Sequence, residues 1–139
     1  MRIALSALGA AVVCLAGCGG SSALTAKGLE QQAGTLQSLA AEGSMLAGDT
    51  ADGKTTVSFT RVHATDLGDA AAAVGTALGS AQAEPGVAAR AKRAERLAGL
   101  VHTDLAALAA APGDEAQART LERQLERAAE TAKTLGGSA

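Results

Sequence analysis

Apolar residues recur every three or four positions along most of the chain, which is the spacing of one face of an α-helix. The first such segment runs from about residue 25 to residue 48. Its apolar positions are Leu29, Ala33, Leu36, Leu39/Ala40, Gly43 and Leu46/Ala47. Residues 48–54 are rich in Gly, Asp and Thr, which favour turns and helix caps. The pattern therefore predicts a first helix that ends near Gly48.

A second helix is predicted from about Val57 to Ser80. The positions that continue at helical spacing here are Phe59, Val62/His63, Asp66/Leu67, Ala70, Ala73/Val74 and Ala77/Leu78. Residues 55–60 are the one strand-like stretch in the chain. A single strand would have no partner strand, so we favour the helix and leave residues 55–58 open.

Two further stripes complete the pattern. The third runs from Val87 to Leu108 and follows a turn at residues 84–86, and the fourth runs from Ala118 to Leu135. Asp114, with Gln117 three residues later, resembles a capping box at the start of the fourth helix. Short breaks between helices favour antiparallel neighbours. We therefore expect an all-α, up-down-up-down four-helix bundle over residues 25–136, or alternatively helical hairpins that complete their core by dimerising.

The composition supports the all-α class and excludes several others. Of the hydrophobic residues, which make up 47% of the 139 positions, 36 are Ala, and the one aromatic residue is Phe59. A β-sandwich, an aromatic-lined ligand pocket and a single-strand nucleic-acid surface all need more large or aromatic side chains. Small residues instead allow helices to pack closely. Gly75 and Gly79, which are one turn apart, should allow an even closer approach.

The first 18 residues have the features of an export signal. Arg2 precedes residues 3–15, an uncharged and mostly apolar run that predicts a signal helix too short to span a bilayer comfortably. The run ends in Leu15-Ala16-Gly17-Cys18. This sequence resembles the lipobox of bacterial lipoproteins, in which an aliphatic residue and two small residues precede an invariant cysteine.

The resemblance implies a processing pathway and a location. Cleavage between Gly17 and Cys18 would remove residues 1–17, and Cys18 would carry a diacylglyceryl thioether as the new N-terminus. Residues 18–24 would then form a flexible tether to the bundle, on the extracytoplasmic face of a cell-envelope membrane. The alternatives are an ordinary secretory signal and an uncleaved anchor.

The composition of the mature chain limits its chemistry further. Cys14 lies within the signal, so Cys18 would be the one cysteine left, which excludes a disulfide or a thiolate zinc site in that chain. Residues 18–139 hold 11 basic and 14 acidic residues, a formal charge of −3. This mild overall charge indicates neither a nucleic-acid partner nor an acidic-lipid partner.

Two histidines are the candidate metal ligands. His63 and His102 each lie beside an apolar stripe, and antiparallel helices could bring them together with Asp66 or Met45. The alternative is that both are boundary histidines with local hydrogen bonds. The Glu-x-x-His pattern of di-iron bundles is absent, because Thr and Gly occupy the positions three residues before the histidines.

Charged residues provide the remaining candidates. Arg61, His63 and Asp66 form the densest polar group and are our candidate contacts for a ligand or partner. Residues 90–96 form a basic run that suits anionic lipid, an acidic partner or simply solvent. No arrangement of residues indicates catalysis or a cofactor. We therefore expect a lipid-anchored, non-enzymatic envelope protein that binds or spaces other components, with a protein partner or a homodimer. The alternative is a ligand- or metal-binding bundle that uses His63 and His102.

Overall fold

The computed structural model describes residues 23–137, so the predicted signal and lipobox lie outside the described residues. The chain forms four helices: α1 (Ala26–Ala51), α2 (Val57–Ser80), α3 (Ala88–Ala110) and α4 (Glu115–Gly136). The predicted all-α four-helix bundle is confirmed, and its core is formed by residues between Leu29 and Leu135.

Helix starts are set mostly by side-chain caps. α1, α2 and α4 each begin after a residue whose side-chain oxygen accepts a hydrogen bond from the backbone N–H three residues later. These residues are Thr25, Thr56 and Asp114. The Asp114 cap confirms the predicted start of the fourth helix. The Thr56 cap shows that α2 begins at Val57, which settles the stretch that the sequence left open.

The first helix is longer than its sequence predicts. α1 continues past Gly48 to Ala51, because Gly48 is buried in the contact with α4 and does not form the turn. A β-carbon on Gly48 would lie 2.8 Å from Glu122 Oε1. The turn itself is made by Gly53, whose φ of 67° lies in the left-handed region that glycine adopts without strain.

Helices pack most closely in the pairs α1–α4 and α2–α3. In the second pair, a β-carbon on Gly75 would lie 3.4 Å from Ala98 Cβ, and one on Gly79 would lie 2.8 Å from Glu95 Oε1. These contacts confirm that small residues bring the helices together. α1 and α4 are also joined by a hydrogen bond, which Ser44 Oγ donates to the Glu122 carbonyl over 3.1 Å.

Leucine side chains fill the space between the two close pairs. The largest fully buried apolar side chains are Leu29, Leu36, Leu105, Leu108, Leu125 and Val101. The stripe predicted for the first helix is confirmed. In the first two turns of α2 the predicted face is wrong, because Thr60 and Ala64 are buried while Phe59 and Val62 are exposed.

The two ends of the bundle contain different loops and chain segments. Leu24 N–H donates to the Gln82 carbonyl over 2.7 Å, and Glu84 N–H donates to the Leu24 carbonyl over 3.1 Å. The chain therefore enters the bundle against the α2–α3 loop. We call this end, which also holds the C-terminus of α4, the proximal end. The distal end holds the α1–α2 and α3–α4 loops.

Candidate interaction surface

Four large apolar side chains lie exposed on α1 and α2. Val57 is the first residue of α2, and we call the other three, Met45, Phe59 and Val62, the α1–α2 patch. Met45 is 71% exposed, Phe59 54% and Val62 61%. Glu42 of α1 is hydrogen-bonded to His63 of α2. Met45 lies one turn from Glu42, and Phe59 lies one turn from His63, both toward the distal end of the bundle. They therefore border the same stretch of the α1–α2 boundary.

His63 joins the two helices beside this patch. Its Nε2 lies 2.9 Å from Glu42 Oε1, and its ring lies 5.4 Å from the Phe59 ring at an interplanar angle of 32°. The side chain of His63 is about one-third exposed. The exposed Phe59 ring therefore lies against a side chain that is itself hydrogen-bonded to α1.

The structure separates the three polar residues that the sequence grouped. Arg61 and His63 are two positions apart, which places them about 200° apart around a helix. His63 contacts α1, whereas Arg61 lines a hollow between α2 and α3 together with Asp69 and His102. Asp66 is exposed one turn after His63. Of the candidate contacts, His63 and Asp66 therefore lie near the α1–α2 patch, and Arg61 lies on another side of α2.

His102 belongs to the contact between α2 and α3. Its Nδ1 lies 2.9 Å from the Gly68 carbonyl oxygen; a carbonyl only accepts, so Nδ1 carries the proton and donates. Gly68 is about 7.5 Å further along α2 than His63, at 1.5 Å per residue. The two histidines thus have different partners. Among residues 23–137, no group of three or more His, Cys, Asp and Glu side chains is placed to hold a metal ion.

An ion-pair cluster fixes the distal end. Asp52, in the α1–α2 loop, accepts hydrogen bonds from Lys54 over 2.8 Å and from Arg119 of α4. Arg119 also pairs with Glu122 over 2.9 Å. The hydrogen bond from Lys54, and then that from Arg119, lower the pKa of Asp52 to about 2. Sequence patterns carry no signal for the pair of Asp52 and Arg119, since these residues are 67 positions apart.

A second exposed surface lies between α3 and α4. A groove of about 590 Å³ is lined by Leu97, Leu100 and Leu135, with Arg93 and Arg96 beside them. Leu100 is 62% exposed.

An adjoining hollow in the same groove is lined by Leu97, Leu100, Asp104 and Arg127. Burial raises the pKa of Asp104, and the nearby Arg127 charge partly opposes that rise. Leu97 belongs to the apolar stripe of the third helix, whereas the exposure of Leu100 follows from the looser packing of α3 against α4.

Comparisons with protein-family models, with curated proteins and with solved structures find no match to this chain. None of the helices in residues 23–137 combines the length and the hydrophobicity that crossing a bilayer requires.

Proposed function

We propose that this chain is a lipid-anchored protein of the cell envelope, whose non-enzymatic bundle binds a protein partner through the α1–α2 patch. The observation that carries the anchoring is the lipobox sequence, residues 15–18, directly after an apolar run. Acylation of Cys18 with two or more chains gives stable membrane attachment without a membrane-binding surface.

The short tether limits how far the bundle lies from the lipid. Leu24 is six positions after Cys18, and an extended chain spans at most about 3.6 Å per residue, or about 22 Å here. Leu24 is hydrogen-bonded at the proximal end of the bundle. The helices of 22–26 residues are roughly 33–39 Å long. An upright bundle would thus hold its distal half well above the membrane surface.

The α1–α2 patch has the properties of a protein-binding surface. Its three apolar side chains lie in the distal half of the bundle and on helices, which hold them in place. Phe and Met are enriched in protein interfaces, and large exposed apolar patches mark protein interaction sites. The Glu42–His63 bond fixes the boundary between the two helices beside it. The occupant that fits is a protein with an apolar surface of its own.

The anchoring is tested by the intact mass of the protein extracted from membranes. The expected species begins at Cys18 and carries the mass of a diacylglyceryl group, with or without a further acyl chain. Conversion of Cys18→Ser should abolish both the added mass and the cleavage. A mature chain that retains residues 1–17, or one with an unmodified Cys18, would overturn the anchoring.

The binding surface is tested by photo-crosslinking in intact cells. A photoreactive residue at Phe59 should yield a single protein adduct, whereas the same residue at Thr103, an exposed position on α3, should not. Val62→Asp should remove the adduct without releasing the protein from the membrane. Equal labelling from both positions contradicts the proposed surface, and an adduct between two copies of the chain replaces the partner with a homodimer.

Calorimetric titration of the mature protein in detergent distinguishes the proposal from metal binding. Under the proposal, Zn²⁺ and Cu²⁺ give no stoichiometric binding. Stoichiometric binding that disappears in His63→Ala and in His102→Ala would replace the interaction role with metal binding.

A further inference from the structure

The first turns of α3 carry basic residues, which interact unfavourably with the dipole of the helix. The N-terminus of a helix is the positive end of its dipole, so acidic residues stabilise it and basic residues do not. α3 has no acidic residue in its first turn, and Val87 provides no side-chain cap. Its first three turns hold Arg90, Lys92, Arg93 and Arg96. α4 shows the favourable arrangement, with the Asp114 cap, Glu115 in the first turn and Lys133 in the last.

The fold neutralises only part of this basic surface, which we define as Arg90, Lys92, Arg93 and Arg96. Lys92 pairs with Glu95 over 2.7 Å, and Arg90 donates to the Gly137 carbonyl over 3.4 Å. Arg93 and Arg96 border the apolar groove of Leu97 and Leu100, which Glu130 also lines. Within residues 23–137, no carboxylate lies at salt-bridge distance from Arg93 or Arg96.

The basic surface lies at the end of the bundle where the chain enters. Leu24 is hydrogen-bonded to Gln82 and Glu84, and α3 begins four residues after Glu84. Cys18 is six positions before Leu24. A tether of at most about 22 Å would therefore keep the basic surface close to the membrane that holds the lipid.

Charge is distributed unevenly between the two halves of the bundle. Division of each helix at its midpoint gives a proximal half with seven basic and six acidic residues and a distal half with four basic and eight acidic residues. An anionic bilayer surface attracts the proximal half and repels the distal half. The net charge of the protein is negative, so the attraction depends on orientation.

We infer that the basic surface of α3 contacts the anionic phospholipid headgroups of the leaflet that holds Cys18, and so orients the bundle. This inference rests on the proposed lipid anchoring. The contact places the N-terminus of α3 toward the membrane and the acidic distal end away from it. The α1–α2 patch, which lies in the distal half, is then turned toward the aqueous space of the envelope, where a protein partner can reach it.

The test uses the mature lipoprotein reconstituted in vesicles of phosphatidylcholine alone or mixed with phosphatidylglycerol. Acylation consumes the thiol of Cys18, so one introduced cysteine can be labelled selectively with a fluorophore. Ala89→Cys reports on the start of α3, and Ala116→Cys, at the distal start of α4, is the matched control; both positions are exposed. A spin label on lipid headgroups quenches the fluorophore on contact.

Label at residue 89 should be quenched several-fold more in the anionic vesicles than in the neutral ones, and salt should reduce the difference because it screens exposed charges. Label at residue 116 should show no such difference. Arg96→Glu should abolish the effect, whereas Arg123→Glu, which makes the same change of charge in the distal half, should preserve it. Arg96→Gln should give an intermediate effect, and thermal melts of each variant report that it is folded.

If the protein floats with the vesicles, two results overturn the inference that α3 contacts anionic headgroups. One is equal quenching of the label at residue 89 in both vesicle types, and the other is a difference in quenching that survives Arg96→Glu. Failure of the protein to float with either vesicle type instead overturns the proposed anchoring. The two outcomes are therefore distinguishable in one experiment.

Discussion

Gly43 of α1 faces the side chain of Leu105 of α3 across the centre of the bundle. A β-carbon at residue 43 would lie 2.7 Å from Leu105 Cδ2 and 3.3 Å from Leu125 Cδ1. Both leucine side chains are fully buried, so neither has free space to move into. The absence of a side chain at residue 43 is what allows Leu105 to pack against α1.

Gly43→Ala should therefore destabilise the bundle by about 1–3 kcal/mol, the usual cost of overpacking a core. Gly99→Ala is the matched control, because Gly99 lies inside α3 and a β-carbon added there would meet nothing within 4 Å. That change should stabilise the protein by about 0.5–1 kcal/mol through helix propensity. Urea unfolding measures both values, and changes of the same sign would contradict the packing at Gly43.

Three threonine hydroxyl groups form a buried cluster between α1 and α2. Thr60 Oγ1 lies 3.0 Å from Thr50 Oγ1 and 2.9 Å from Thr55 Oγ1, and Thr50 Oγ1 donates to the Leu46 carbonyl over 2.8 Å. Thr60→Val should cost about 0.5–1.5 kcal/mol, because it removes the hydrogen bonds of Thr60, while Thr50 Oγ1 and Thr55 Oγ1 keep each other as partners over 3.1 Å. Thr103→Val, at an exposed site, should cost less than about 0.5 kcal/mol. Equal unfolding free energies for the two variants would contradict the cluster.

The low pKa of Asp52 predicts a loss of stability in acid. Its pKa falls from 3.8 to about 2 in the folded protein, so the ionised carboxylate favours folding above pH 3.8, and this contribution disappears as the pH falls toward 2. The melting temperature of Asp52→Asn should lie below that of the wild type at neutral pH. This difference in melting temperature should narrow between about pH 4 and pH 2. A difference that stays constant over this range would show that the ionised Asp52 carboxylate is not its cause.

The raised pKa of Asp104 predicts that ionisation of this carboxyl group destabilises the folded protein, which is opposite to the effect of Asp52. Burial raises its pKa, so its ionised form opposes folding at a pH above that pKa, and protonation relieves the penalty. Asp104→Asn should therefore raise the melting temperature at neutral pH, with a smaller gain in acid. A lower melting temperature at neutral pH would mean that the attraction of Arg127 outweighs the burial of the carboxylate.

Helix positions were largely predictable because local chemistry sets them. The spacing of Leu29, Ala33 and Leu36 and the Asp114 cap each depend on residues within one or two turns. The face of α2 was predicted wrongly in its first two turns, because Phe59 is the more hydrophobic residue and Thr60 is the buried one. Thr60 is buried because Thr50 and Thr55 satisfy its hydroxyl group, a contact between separate elements.

The sequence by itself was enough to predict the number of helices and the all-α class, since both depend on periodicity and on adjacent residues; the resemblance of residues 15–18 to a lipobox stays a prediction. The tertiary structure decided which surfaces stay free: it paired His63 with Glu42 and His102 with Gly68, and left Met45 and Leu100 exposed. It also placed the basic start of α3 beside the point where the chain enters. These relationships depend on which helices pack closely, and small residues far apart in the chain set that packing.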